Sequence, residues 1–298
     1  MGQLCSSSNV VANANIVKKI IHKAIGQKAQ VLFLPEATDY IAKDASHSIQ
    51  LASQTNSSFL KIIRDELLQL KSNLYISVGI HEPSANANRV QNNQVWINPK
   101  GDILQTYQKI HLFDVEIANG PILKESNSVE PGNKILPPFD IDGTKFKLGM
   151  ATCYDIRFGD LSIILRKMGA DIITFPSAFT TKTGEAHWKT LGQARAIDSQ
   201  CFVVMAAQCG KHDVYADQPE GGANGTRRIS YGNSLVISPW GEILAQGKAY
   251  SDDLTPDVDP DGDYYELITA DLQYDQLQTI RQNMPLLKHR REDIYNSV

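Results

Sequence analysis

Hydrophobic positions in the first third of the chain follow two spacings in turn. Apolar residues recur every three or four positions over residues 16–25 and stop at Gly26, which predicts a helix that ends at that glycine. Residues 31–35 form a short continuous apolar run, typical of a strand covered on both faces. Residues 59–70 return to helical spacing, and residues 74–80 alternate as a strand would. The pattern predicts alternating helices and strands.

Two short segments share one pattern of apolar and turn residues. Residues 97–104 and 237–244 both read I-x-P-x-G-[DE]-I-L. Proline at the second turn position and glycine at the fourth suit a type I turn followed by a left-handed residue, so both segments are predicted to be β-hairpins. Their recurrence about 140 residues apart indicates a fold with two related halves.

The second half of the chain repeats the alternation of elements. Strands are predicted over 146–152, 171–175 and 202–207, and helices over 161–168 and 187–197. Strands and helices that alternate, interrupted by hairpins, predict two sheets faced by helices, an α/β layered sandwich. Because no linker-like stretch interrupts the pattern, we predict one domain over residues 1–298. The stretch 213–228, rich in glycine, aspartate and asparagine, is predicted to be either an active-site flap or a mobile loop.

Composition and charge narrow the function classes. Of the 298 residues, 42% are hydrophobic and 21% charged, as in ordinary globular proteins with a sizeable core. The 29 basic and 33 acidic residues give a net charge of −4 without a long basic run, which argues against nucleic-acid and anionic-membrane partners and favours small molecules. The four cysteines show neither C-x-x-C pairs nor zinc-site spacing, so we expect reduced thiols.

The N-terminal residues allow two interpretations. Residues 1–6 fit the myristoylation pattern M-G-x-x-x-[ST], and Cys5 lies where palmitoylation could follow. Residues 2–7 also look like the end of a buried first strand whose beginning is missing, and such a strand would leave a neighbour unpaired. We favour the strand, because so short a lipidation motif is often matched by chance. Without a membrane-length apolar stretch or a signal-peptide pattern, the expected compartment is the cytoplasm.

Three separated residues are candidates for chemistry. Cys153 ends a predicted strand and precedes a helix, a turn that would expose the thiol and aim backbone N–H groups at one point. Its alternative is a buried structural cysteine. Glu36 follows the strand at 31–35 and could be a general base or a solvated loop carboxylate. Lys109 follows another predicted strand and could stabilise an oxyanion or be a surface lysine.

The segments around these residues resemble one family. L-P-E at 34–36, K-I-H-L-F-D at 109–114 and C-Y-D-I-R-F at 153–158 are similar, in order and flanking residues, to the catalytic segments of the nitrilase (carbon–nitrogen hydrolase) superfamily. The resemblance covers nearly the entire chain. It implies a four-layer αββα sandwich, a homodimer, and catalysis without a metal or other cofactor.

The resemblance also implies roles for the candidate residues. Cys153 would attack an amide carbonyl, Glu36 would accept its proton, and Lys109 would stabilise the oxyanion. Water activated by Glu36 would then hydrolyse the thioester. Glu125 matches a second carboxylate that the family places near the site, where it would orient Lys109 or the substrate.

Further segments indicate a branch of the superfamily. Residues 125–129, 175–179 and 194–210 are similar to the deaminated glutathione amidases, the fungal form in particular. That similarity implies a metabolite-repair reaction in which deaminated glutathione is hydrolysed to 2-oxoglutarate and cysteinylglycine. An anionic amide substrate needs cationic and polar partners, and our candidates for its binding site are Arg157, Thr183, Phe179 and Tyr154. Arg157 could instead form a structural ion pair with Asp155 or Asp160.

Other readings remain open at this point. An omega-amidase acting on 2-oxoglutaramate would use the same residues, although residues 208–212 favour the glutathione-derived substrate. A papain-like thiol hydrolase would pair Cys153 with a histidine such as His187. Gly159 and Asp160 stand where relatives usually carry Pro-Glu, and this departure leaves open a catalytically silent binding protein of the same fold.

Overall fold

The computed structural model describes residues 1–116, 122–217, 228–251 and 258–295. Most of the loop predicted at 213–228 lies outside the described residues. Its two interpretations, an active-site flap or a mobile loop, therefore stay predictions. Among the described residues, no helix is both long enough and apolar enough to span a lipid bilayer.

Strands and helices alternate along the described chain. The strands are β1 Gly2–Leu4, β2 Val31–Phe33, β3 Tyr75–Pro83, β4 Val90–Ile97, β5 Ile103–Gln108, β6 Asp114–Glu116, β7 Ile122–Lys124, β8 Val129–Glu130, β9 Phe139–Asp140, β10 Lys147–Met150, β11 Ile172–Thr174, β12 Phe202–Met205, β13 Cys209–Lys211, β14 Ile229–Tyr231, β15 Leu235–Ile237, β16 Ile243–Gln246 and β17 Tyr265–Leu267. The helices are α1 Val10–Gly26, α2 Ala45–Gln54, α3 Lys61–Leu70, α4 Gly159–Lys167, α5 Thr181–Thr183, α6 Lys189–Ser199, α7 Tyr274–Asn283, α8 Leu286–His289 and α9 Glu292–Tyr295.

Two larger sheets form the frame of the molecule. One has the strand order β16-β15-β12-β11-β10-β9, in which β10, β11 and β12 run parallel. The other has the order β2-β3-β4-β5, with β8 beside β4; β2 and β3 run parallel, and β3, β4 and β5 run antiparallel. Both predicted hairpins are confirmed as β4–β5 and β15–β16. Their turn glycines have positive φ, 78° at Gly101 and 87° at Gly241.

Alternation along the strands divides the core into three parts. Ile172 and Val204 point between the sheets, towards aromatic residues such as Trp96. Their neighbours Ile173 and Val203 point the other way, where they pack with residues of α4 and α6. On the second sheet, alternate residues of β3 pack with α1 and α3. The result is helix, sheet, sheet, helix, which confirms the predicted αββα sandwich.

Two predicted helices continue through π-helical turns. Thr55–Leu60 is π-helical and joins α2 to α3, and Gly184–Trp188 leads into α6 in the same way. The predictions over 59–70 and 187–197 therefore have the correct element type but differ from the structure at their starts. Helix α1 begins at Val10, before the apolar spacing that predicted it, because the Asn9 side chain caps it by accepting a hydrogen bond from the Ala12 N–H at 3.0 Å.

The N-terminal strand corrects one prediction. We expected a shortened first strand that leaves a neighbouring strand unpaired. Instead, β1 pairs antiparallel with β17 along its whole length, with Gln3 opposite Glu266. The Met1 amine extends this pairing by donating to the Ile268 carbonyl at 2.6 Å. Strand β1 is buried, so it serves as part of the core.

Candidate active site

Four predicted residues meet where strands of the two sheets end. Glu36 follows β2 and Lys109 follows β5 in one sheet, whereas Cys153 follows β10 in the other. Glu125 begins a 3-10 turn, Glu125–Asn127, after β7. Glu36, Lys109 and Cys153 are buried, at 5%, 2% and 8% relative exposure. The fold therefore brings residues from distant parts of the chain into one enclosed cluster.

Hydrogen bonds fix both the side chain and the backbone of Glu36. Its Oε1 accepts hydrogen bonds from Asn92 Nδ2 at 2.8 Å and Lys109 Nζ at 2.9 Å, and its Oε2 accepts from the Ala178 N–H at 3.0 Å. The Gln208 side chain donates to the carbonyl oxygen of Glu36 at 3.1 Å. Strand β3 passes so close that a Cβ atom on Gly79 would lie 2.5 Å from the Glu36 Cα. These contacts fix the direction in which the carboxylate points.

Lys109 lies between two carboxylates. Besides Glu36, its Nζ contacts Glu125 Oε1 at 3.0 Å and Oε2 at 2.9 Å, and the Phe113 N–H orients Glu125 by donating to its Oε2 at 2.7 Å. Burial alone would lower the pKa of Lys109, but the charges of Glu125 and Glu36 outweigh burial and hold that pKa well above its ordinary value. The side chain is therefore a fixed cation.

Cys153 occupies a strained turn beside this cluster. Its φ is +49°, an unfavourable value for a residue other than glycine, and it begins the 3-10 turn Cys153–Arg157. Its N–H donates to the Pro176 carbonyl at 3.0 Å. Burial and the nearby charge of Glu36 raise the pKa of the Cys153 thiol well above its ordinary value, and the thiol hydrogen-bonds to Glu36. The resting cysteine is consequently a protonated thiol.

Glu36, the carboxylate that contacts the thiol, is held in its ionised form. Burial acts to raise its pKa, but the charge of Lys109 and the hydrogen bonds from Cys153, Lys109 and Asn92 hold that pKa below its ordinary value. A thiol hydrogen-bonded to an ionised carboxylate can lose its proton to that carboxylate while it attacks an electrophile. The cation of Lys109 lies where it could stabilise negative charge that develops on the electrophile.

A second buried carboxylate, Asp155, supports the turn that carries the cysteine. It accepts hydrogen bonds from the Tyr107 hydroxyl at 2.6 Å, His111 Nδ1 at 2.7 Å and the Thr152 N–H at 2.8 Å. Tyr107 lies on β5 and His111 follows Lys109, so Asp155 ties the cysteine turn to the segment that carries the lysine. We considered Asp155 only as a partner of Arg157, and the structure assigns it to this network instead.

Three of the four predicted substrate-binding residues form a cluster, in which Tyr154 and Arg157 belong to the cysteine turn and Phe179 packs beside it. The Arg157 guanidinium lies 5.8 Å from the ring centroids of both Tyr154 and Phe179. Within the described residues it makes no ion pair with a carboxylate, and its Nη2 instead contacts His187 Nδ1 at 3.3 Å. The alternative of a structural ion pair with Asp155 or Asp160 is therefore wrong for these residues.

Thr183 is placed differently from the other three. Its hydroxyl hydrogen-bonds to the Thr180 hydroxyl at 2.9 Å, and its N–H donates to the same oxygen at 3.4 Å. These bonds cap the short helix α5. The structure gives Thr183 a local partner and leaves its role in substrate binding a prediction.

The papain-like alternative does not fit the geometry. His187 contacts Arg157, whereas the hydrogen-bonding partners of the Cys153 thiol are the Glu36 carboxylate and the Ala178 N–H. Among the described residues, the group of carboxylates close enough to share a metal ion is Asp259, Asp261 and Asp263, on the surface. The ammonium of Lys19 already contacts all three at 2.6 to 2.8 Å. The groups that the structure brings together at the candidate active site are two carboxylates, an ammonium and a thiol.

Comparison with known proteins gives a consistent result. The carbon-nitrogen hydrolase family model matches residues 1–282. The chain is 41% identical to the probable hydrolase nit2 of Schizosaccharomyces pombe, over 100% of this chain and 98% of that protein. It is 35% identical to the deaminated glutathione amidase of Mus musculus, over 99% of this chain and 84% of that protein.

A solved structure shows the same architecture. The crystal structure of the Caenorhabditis elegans NitFhit protein matches with a TM-score of 0.82 and 34% identity, over 98% of this chain and 64% of that chain. The family model and these relatives extend across the segments that carry Glu36, Lys109 and Cys153. The chain therefore belongs to the carbon-nitrogen hydrolase family of the nitrilase superfamily, and it is an amidase that hydrolyses carbon–nitrogen bonds.

Proposed function

We propose that the amidase reaction proceeds through a thioester on Cys153. As the sulfur attacks the amide carbonyl carbon, Glu36 accepts the thiol proton, and the oxyanion of the tetrahedral adduct is stabilised by Lys109. Collapse of the adduct breaks the carbon–nitrogen bond, and Glu36 returns its proton to the leaving amine. Glu36 then removes a proton from water, which attacks the thioester, releases the carboxylic acid and restores the thiol. The hydrogen-bonded cluster of Cys153, Glu36 and Lys109 supports this sequence.

We further propose deaminated glutathione as the substrate, cleaved to 2-oxoglutarate and cysteinylglycine in metabolite repair. The observation that carries this proposal is the guanidinium of Arg157, the last residue of the cysteine turn, which has no carboxylate partner among the described residues. A guanidinium of this kind suits a substrate carboxylate, because it offers paired donors and a permanent charge. The names of the amidase relatives support the same choice.

The proposal also includes the state and place of the protein. We propose a homodimer that acts in the cytoplasm and does not bind nucleic acid. Light scattering on the purified protein tests the dimer.

The test is release of 2-oxoglutarate by the purified protein from deaminated glutathione and, separately, from 2-oxoglutaramate. We expect a higher kcat/KM for deaminated glutathione and loss of both activities in Cys153→Ala. A higher kcat/KM for 2-oxoglutaramate would replace the proposed substrate and make the chain an omega-amidase. Turnover that survives in Cys153→Ala would contradict the thioester, and inactivity towards both amides would reject the proposed substrate.

The contribution of Arg157 is tested separately from the chemistry. We expect Arg157→Met to raise KM about tenfold or more with a smaller change in kcat, because a lost charge-assisted hydrogen bond weakens binding by that order. Lys100→Met, in the exposed turn of the β4–β5 hairpin, is the matched control for loss of one positive charge. Equal KM values in the two variants would show that Arg157 does not contribute to substrate binding.

The thioester has a test of its own. Hydroxylamine added during turnover should capture the acyl group as a hydroxamate.

A further inference from the structure

Asn92 lies on β4, directly beside the charged cluster. Its Nδ2 donates to Glu36 Oε1 at 2.8 Å and to Glu125 Oε1 at 3.2 Å. Lys109 Nζ contacts the same two oxygens at 2.9 and 3.0 Å. One carboxamide and one ammonium thus bridge the same pair of carboxylates. The reverse orientation of the amide would place its oxygen against both carboxylates, so the hydrogen bonds fix which end points inward.

The side chain is also costly to keep at this position. Asn92 is buried at 3% relative exposure, and its Oδ1 has no hydrogen-bond partner among the described residues. A buried polar atom without a partner destabilises a protein, and an apolar residue of similar size would avoid that penalty. The Oδ1 of the neighbouring Asn93 also has no partner among the described residues, so Asn92 differs from Asn93 in the contacts of its Nδ2 with the two carboxylates.

From these contacts we propose that Asn92 is a positioning residue of the amidase reaction, whose carboxamide holds Glu36 and Glu125 in a fixed arrangement around Lys109 and aims the Glu36 carboxylate at the Cys153 thiol. This inference rests on the proposed role of Glu36 as general base and deepens it. Asn92 acts through Glu36 and needs no contact with the substrate.

A neutral donor suits this position for an electrostatic reason. Among the described residues, Lys109 and Cys153 hydrogen-bond to Glu36, and Glu125 hydrogen-bonds to Lys109, so these groups supply one fixed positive charge and one further carboxylate. A second cation in place of Asn92 would stabilise the Glu36 carboxylate so strongly that it would become a poor base. An apolar residue would leave Lys109 as the one side chain that orients both carboxylates. A carboxamide orients Glu36 and stabilises its charge only moderately.

The test compares Asn92→Asp with Asn93→Asp. Aspartate is nearly isosteric with asparagine but loses the two N–H donors and brings a negative charge. Asn93 is the adjacent residue on the same strand, equally buried, and its side chain donates to Glu82 Oε2 at 2.7 Å, away from Glu36. It therefore controls for the general effect of a new carboxylate in β4. Asn92→Ala repeats the test without an added charge, and it replaces Asn92→Asp if that variant does not fold.

We expect Asn92→Asp to shift the acidic limb of the pH profile of kcat/KM to higher pH by about one unit or more. It should also lower kcat about tenfold or more. Asn92→Ala should shift the limb in the same direction by a smaller amount, and Asn93→Asp should leave it in place. A purely structural role would lower the midpoint of thermal unfolding without moving the limb. Identical limbs in the Asn92 variants and the wild type would overturn the inference.

A second readout does not depend on the substrate. The rate at which iodoacetamide alkylates Cys153, followed by peptide mass spectrometry, reports proton transfer from the thiol to Glu36. If the proposed substrate is wrong but the inference is right, amide turnover is absent while the acidic limb of alkylation still shifts in Asn92→Asp. If alkylation of Cys153 has the same pH dependence in both aspartate variants, Asn92 does not position Glu36.

Discussion

Replacing Gly79 with alanine would place a methyl group against the backbone that carries Glu36. Gly79 lies on β3, where its N–H donates to the Pro35 carbonyl at 3.0 Å and its own carbonyl accepts from the Thr38 N–H at 2.9 Å. A Cβ atom at this position would lie 2.5 Å from the Glu36 Cα, 2.5 Å from the Pro35 oxygen and 3.1 Å from the Ala37 nitrogen. These are backbone atoms, so no side-chain rotation can relieve the contact. The segment that holds Glu36 has to move.

The size of the effect follows from the distances. Ordinary contacts begin near 3.4 Å, so the backbone at Glu36 must shift by nearly 1 Å. Overpacking of this kind destabilises a protein by about 1–3 kcal/mol, which corresponds to a decrease of roughly 2–10 °C in the midpoint of thermal unfolding. A displacement of about 1 Å at a reacting group can also slow a reaction about 100-fold. We therefore expect kcat to fall about 100-fold in Gly79→Ala, while most of the protein remains folded at 25 °C.

The assay measures kcat for the amide substrate and the thermal unfolding midpoint of the same preparation. Gly26→Ala is the matched control, because a Cβ atom there would meet no atom within 4 Å. The control should keep wild-type kcat and an unchanged or slightly higher unfolding midpoint. Wild-type kcat in a folded Gly79→Ala variant would refute the reasoning, because it would show that the position of Glu36 tolerates the shift.

Three further changes test other buried polar groups of the molecule. Asp155→Asn leaves buried donors without acceptors, so its free energy of unfolding should fall by about 3 kcal/mol; an unchanged urea midpoint would contradict this. Lys109→Met leaves two carboxylates without their cation, and we expect at least a 100-fold lower kcat together with a higher pH for the acidic limb, whereas an unmoved limb would argue against the ion pairs. Burial lowers the pKa of His212 to about 4 from 6.5, so the unfolded state takes up this proton first as the pH falls. Stability should decrease between pH 6.5 and pH 4 by up to about 3 kcal/mol, and urea unfolding of His212→Gln should show a shallower decrease.

Local signals in the sequence predict much of the fold. The two hairpins follow from proline and glycine at defined turn positions, and short apolar runs identify strands covered on both faces. The π-helical turns are not predicted, because their apolar residues keep nearly the same spacing as in an α-helix. The pairing of β1 with β17 is also not predicted, because it joins residues from opposite ends of the chain and no local pattern records such a contact.

The candidate site was likewise predictable only in part. Their positions after predicted strands made Glu36, Lys109 and Cys153 candidates, and the resemblance of their flanking segments to the nitrilase superfamily assigned them to one site. Asn92 carried a signal that we did not use. Four polar residues in a row, 91–94, lie in a strand of the second sheet, and strict alternation requires some of them to point into the sandwich. Their partners could not be predicted, because the partner residues are distant in sequence.

The charges in the buried cluster explain why the thiol stays protonated before substrate binds. With Lys109 positive and Glu36 and Glu125 ionised, the cluster already carries one more negative than positive charge. A thiolate at Cys153 beside an ionised Glu36 would add a third anion to a buried site, and burial together with the charge of Glu36 raises the pKa of the thiol. Transfer of the thiol proton to Glu36 leaves the net charge unchanged. In the proposed mechanism, attack coupled to proton transfer is therefore favoured over a preformed thiolate, and the sulfur of Cys153 becomes anionic only when a carbonyl is present to accept its electrons.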